Sequence, residues 1–285
     1  MANNTVLNRL FTIASLHDIV ENPDNPVYKE ILEKYTNCNE SNYFITNEEA
    51  FSSIYTYLKK NYRNEYYYKN TILNRLLLGA HSISTTTALT QIPISASKAD
   101  FVMINGKAVV YEIKTELDNL ERLESQIKNY YKAFDHVCVV TCDEYAEVLL
   151  SRFADLPVGI YTISDSEYIR HIKEPQLNNA DLDSSVIFKV LNKPEYESII
   201  RSFYGSLPQT TQVMYYRECR KLFLDIPKEK QYTAFLKELK KRNSIQDKQM
   251  FLDVPYELKA LVYFSHFSKS DYSTLNNFLS TQIGG

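Results

Sequence analysis

Apolar positions along the first 60 residues recur at helical spacing. The run Leu7–Val20 repeats every three or four residues and stops near Asn22-Pro23. A second helix is predicted to open at Pro26, a residue helices accept in their first turn. Thr46 and Glu49 form a capping-box pair ahead of a third, AFSSIYTYLKK. The pattern then changes. After a helix through YYYKNTILNRLLLG come the β-rich run ISTTTALTQIPI and two strands, KADFVMIN and KAVVYEIKT, joined at Asn105-Gly106. That dipeptide predicts a turn in which both central residues take positive φ. From Asp118 to Phe134 the apolar spacing is again helical, with Leu120, Leu123, Ile127, Tyr130, Tyr131 and Phe134 on one face and Asp118 as a candidate cap. Strand HVCVVTC, helix EYAEVLLSRF and strand VGIYTIS follow, an alternation that predicts a partly parallel sheet with helices packed on it. Beyond residue 180 the chain returns to helices, punctuated by Pro194, Pro208, Pro227 and Pro255. Three segments result: a helical region 1–60, an α/β core 61–178 and a helical region 179–285.

Composition narrows the choices. Length and apolar content suffice for a real core, no stretch approaches the ~20 apolar residues that span a bilayer, and the N-terminus lacks a secretory pattern. Cys38, Cys138, Cys142 and Cys219 lack zinc-type spacing, and His17, His81, His136, His171 and His266 are scattered. A reduced, cytoplasmic setting without membrane contact is the expectation. The net charge of −3 is unevenly spread: residues 1–185 hold 17 Lys/Arg against 25 Asp/Glu, whereas residues 186–260 hold 14 against 9. An acidic half beside a basic half suits a protein that holds a cation with one and a polyanion with the other, although solvated helix faces give the same imbalance. The many aromatic residues of the C-terminal region read as core packing rather than as a base-stacking surface.

Side chains two apart on a strand share a face, so Glu112 and Lys114 project together, and the return through Asn105-Gly106 brings Asp100 toward the same edge. Two carboxylates and an ammonium at the end of apolar strands form a donor set for a divalent cation and a phosphodiester. Duller readings stand beside this one. Asp100 can end a strand, and Glu112 and Lys114 can form the polar face of an edge strand.

The pattern Ala99-Asp100, eleven residues, Glu112-Ile113-Lys114, with Gln126 and Tyr130 on the next helix, resembles the PD-(D/E)XK nuclease superfamily. Ala99 stands where the family name has Pro, and the Gln-x-x-x-Tyr pair is similar to that of RecB-like branches. The resemblance covers about residues 62–170. It looks closest to a poorly characterised bacterial subfamily with an Glu-Ile-Lys motif and a following Leu-rich helix.

The resemblance implies an α/β fold: a restriction-endonuclease-like core, a mixed sheet flanked by helices, with helical N- and C-terminal regions. It implies a metal-dependent nuclease acting most readily on DNA, in restriction, phage defence or mobile-element maintenance. Asp100 and Glu112, with the Ile113 carbonyl, would hold Mg²⁺ or Mn²⁺, since hard oxygen donors suit those ions. Lys114 would orient water or steady phosphoryl charge. Glu65 is the candidate helix glutamate of such a site, a surface position being the competing reading. Gln126 and Tyr130 would position the lysine or a phosphate, although Tyr130 also belongs to the apolar stripe of its helix. A homodimer or a partner subunit fits a double-strand cutter. RNA or another phosphodiester as substrate, and an inactive nuclease-fold binding module, are the alternatives.

Overall fold

A computed structural model describes residues 4–36, 45–243 and 245–283, which divide into two compact units. Cys38 lies outside the described residues. The first unit comprises residues 1–80, 165–168 and 244–285; the second comprises 81–164 and 169–243. The segment 61–178 is therefore divided at Ala80/His81, and the C-terminal region at Asn243/Ser244.

The first unit opens with α1 (Asn4–Leu10), α2 (Ile13–Glu21), α3 (Pro26–Thr36), the short β1 (Ile45–Thr46), α4 (Asn47–Asn61) and α5 (Glu65–Ile72), which runs on as a π-helical segment, Leu73–Ala80. The single helix expected over residues 7–20 is broken, because Thr12 turns extended and accepts from the Ser15 N–H to cap α2. The Thr46/Glu49 box forms as the spacing implied. The Thr46 N–H donates to Glu49 (2.8 Å) and the Glu49 N–H to Thr46 Oγ1 (3.2 Å).

The second unit contains β2 (Thr87–Ile94), β3 (Ser97–Asn105), β4 (Lys107–Lys114), α6 (Leu123–Tyr131), β5 (His136–Thr141), α7 (Ala146–Arg152), β6 (Gly159–Ile163), β7 (Ile169–Lys173), and helices α8 (Ser184–Val190), α9 (Lys193–Tyr204), α10 (Gln212–Leu224) and α11 (Lys228–Lys240). The first unit closes with α12 (Lys248–Asp253), α13 (Lys259–Phe264), α14 (Lys269–Ser280) and β8 (Gln282–Ile283), which pairs with β1.

Six strands lie in the order β2-β3-β4-β5-β6-β7. β2, β3 and β4 form an antiparallel meander, β4, β5 and β6 run parallel, and β7 returns antiparallel at the edge. This is a mixed sheet flanked by helices in an α/β fold. Parallel strands joined through α6 and α7 are covered by them, which explains their near-continuous apolar sequences. On the face toward α6, Val102, Val110, Val139 and Ile160 pack with Leu123, Ile127 and Phe134, and with Phe188, Phe223 and Phe235 from α8, α10 and α11. These C-terminal aromatic residues are core, as read. Gly159 opens β6 where a Cβ would sit 2.6 Å from Pro175, so only glycine fits there.

Two local expectations are corrected. The β3–β4 ladder runs to Asn105↔Lys107, and of Asn105 and Gly106 only the glycine takes positive φ, at 75°. Asp118 does not cap α6. Its carboxylate accepts from the Thr115 N–H and hydroxyl (both 2.9 Å), a turn that delays the helix to Leu123.

Candidate functional site

β4 is the third of six strands, not an edge, and Glu112 on it is 1% exposed. A carboxylate at that depth needs partners. Glu112 has two: Lys114 Nζ lies 2.8 Å from one oxygen, and the Tyr130 hydroxyl donates to the other at 2.5 Å. Lys114 projects from the same face two residues on, and its side chain is only 12% exposed. Tyr130 reaches in from α6, where its hydroxyl also lies 2.9 Å from the Lys98 carbonyl. Burial first, and then the Glu112 charge, pushes the Tyr130 phenol far above its ordinary value, so it remains a proton donor. The Gln126 side chain, one turn earlier, lies beside the same hydroxyl, and its Oε1 is buried without a hydrogen-bond partner.

Asp100 arrives from β3. The antiparallel register Phe101↔Tyr111 continues to Asp100 opposite Glu112, and there the backbone ladder stops. Asp100 Oδ2 instead accepts the Ile113 N–H at 3.0 Å. A strand residue projects its N–H and C=O to the same side, so the Ile113 carbonyl also turns toward the gap that β3 leaves. Thr141, in register with Lys114 across the parallel pair, donates to the Lys114 carbonyl at 2.7 Å and fixes the strand end.

The structure thus brings together Asp100, Glu112, Ile113, Lys114, Gln126 and Tyr130 at the carboxyl end of β4, within the second unit. Such strand ends are the usual ligand edge of open α/β sheets. Glu65 belongs to the first unit, where it begins α5, is half-exposed and pairs with Lys69 one turn on. Thr141 and the Lys98 carbonyl were missed by sequence reading, since only strand register reveals them.

The donor chemistry fits a hard divalent cation. Asp100, Glu112 and the Ile113 carbonyl offer oxygens at one strand end. Each Glu112 oxygen keeps a second lone pair beyond its present bond. The orphaned Gln126 Oε1 could accept from a cation-bound water. A separate group, Glu116, Cys142 and Glu144, places three potential ligand atoms within 4.8 Å of one another. Two cavities, of about 320 and 520 Å³, are lined by first-unit residues around α14 and include none of the site residues.

An α/β protein with a buried carboxylate–lysine pair at the carboxyl end of a mixed sheet is the class these features define. Residues 58–259 match the family of bacteriophage P4 protein cII, and the chain belongs to that family. Protein cII of Enterobacteria phage P4 is 27% identical over 123 residues, covering 42% of this chain and 40% of that protein. The chain therefore aligns with less than half the length of this curated relative. No solved structure matches. Among the described residues no helix is long and apolar enough to cross a membrane.

Proposed function

We propose that the chain is a metal-dependent nuclease that hydrolyses phosphodiester bonds, with DNA as the favoured substrate, on a restriction-endonuclease-like core. One observation carries the reading: Asp100 ends the β3–β4 ladder opposite Glu112, whose buried carboxylate is 2.8 Å from Lys114. Asp100 serves the sheet by accepting the Ile113 N–H, but no backbone bond of the sheet calls for Glu112 or Lys114 at that point.

Asp100, Glu112 and the Ile113 carbonyl would hold Mg²⁺ or Mn²⁺. Such an ion, when bound, polarises a phosphoryl oxygen and acidifies a coordinated water. The protein supplies the rest. Tyr130 keeps Glu112 oriented by donating to it, and Gln126 lies beside that hydroxyl. Lys114 presents a cation on the same face, placed to lower the energy of charge that builds on phosphoryl oxygens. Glu65, with its own partner in Lys69, has no assigned role in this reading.

A second reading, a binding module on a nuclease fold without turnover, is favoured by the engagement of both Glu112 oxygens. Incubation of single- and double-stranded DNA and RNA with Mg²⁺ or Mn²⁺ separates the two. Cleavage by the wild type and its loss in Asp100→Ala support the nuclease. Equal cleavage by both proteins removes the assigned site, and nucleic-acid binding with no cleavage under either metal favours the module.

A further inference from the structure

The exposed face of α11 carries Lys230, Thr233, Lys237 and Lys240, spaced three, four and three residues apart. At 3.6 residues per turn these positions share one side of the helix. The opposite side buries Gln231, Phe235 and Leu239 in the core of the second unit, and the Gln231 amide donates to the Phe223 and Ile226 carbonyls at the end of α10. The helix is thus anchored to the core with its lysines outward.

A solvated helix face ordinarily mixes signs, because opposite charges at i,i+4 attract and like charges repel. This face does not mix them. The nearby acids are used elsewhere: Glu238 on Lys241 and Ser198, Glu195 on Arg242, and Glu197 on Tyr215 and Lys193. Lys230, Lys237 and Lys240 have no carboxylate partner among the described residues. Glu229 stands at the margin of the first turn.

We infer that this α11 lysine face is a docking surface for the phosphate backbone of duplex DNA. The inference rests on the phosphodiester reading of the sheet edge for the identity of the polyanion. Position supports it too. Thr87 at the start of β2 donates to the Lys240 carbonyl at 2.8 Å, which fixes the end of α11 to the sheet. Thr87 pairs with Ile104 on β3, and Asp100 lies four residues back along that strand. At about 3.3 Å per residue this is roughly 13 Å, about four base-pair steps. The lysine row is itself about 15 Å long, less than one turn of duplex.

The test is fluorescence anisotropy of a labelled DNA duplex with the full chain, in EDTA so that no turnover intrudes, across a salt series. The triple change Lys230→Gln/Lys237→Gln/Lys240→Gln should flatten the log K against log salt slope by about 3 and weaken binding near 0.1 M salt on the order of 10²-fold. Arginine at the same three positions should restore both, which a merely structural role for lysine would not do. The inference is overturned if the glutamine triple binds as wild type, if the wild type binds no duplex, or if polyglutamate competes as well per charge as DNA, the mark of an acidic protein partner. Asp100→Asn, measured alongside, should lose cleavage and keep the salt slope, so failure of the catalytic reading and failure of the docking surface remain distinguishable.

Discussion

The acids of the second unit fall into two groups that differ in what explains them. In the helical layer Glu195 and Glu238 have local tasks. Glu195 closes the capping box of α9 on the Asn192 N–H (2.6 Å) and takes a two-point contact from Arg242 (both 2.6 Å). Glu238 pairs with Lys241, whose side chain is 56% exposed. At the carboxyl end of β4 no helix end or turn needs a charge. Asp100 replaces a backbone partner, and Glu112 is buried against a lysine that is itself nearly buried. Charge that completes secondary structure is explained by folding; charge set into apolar strands without that role is what the proposed metal site would explain.

The comparison can be broken or sharpened by substitution. The largest effect is expected at Asp100. Asp100→Asn should lower metal-dependent cleavage by 10²-fold or more in a turnover assay, on the order of what one transition-state-stabilising group contributes, whereas Glu195→Gln should leave cleavage unchanged. Lys114→Met should cost about 3 kcal/mol in denaturant unfolding at neutral pH, because it strands the buried Glu112 charge, and adding Glu112→Gln should recover most of that loss. Arg242→Ala should cost about 2 kcal/mol in the same measurement, through its two contacts to Glu195. Tyr130→Phe should cost about 1.5 kcal/mol by removing a bond to a charged acceptor, with cleavage falling as Glu112 loses its orientation. Lys241→Met should cost well under 1 kcal/mol, since water screens an exposed ammonium. If Lys114→Met and Lys241→Met prove equally mild, the two groups of acids are not different in kind.

Much of this contrast was legible in the residues. The runs VVYEIK and HVCVVT announce buried strands, and Glu112 within the first is conspicuous because apolar strands seldom hold a charge. The capping box at Thr46/Glu49 marks its helix through local chemistry alone. Other features depend on partners far away in sequence. β7 has only Ile169 buried, so no alternation advertises it, and β1 and β8 are two residues each, made strands by one another. Sequence order does not say which core a helix joins, so the return of α12–α14 to the N-terminal unit left no mark. The same holds for Glu65, whose helix was readable while its membership of the other unit was not.

Calorimetric titration of Mn²⁺ into the metal-free protein tests the central claim most directly. One site should appear in the wild type, vanish in Asp100→Asn and persist in Lys114→Gln. Identical binding by wild type and Asp100→Asn would contradict the account, since the cation would then be held somewhere other than the end of β4.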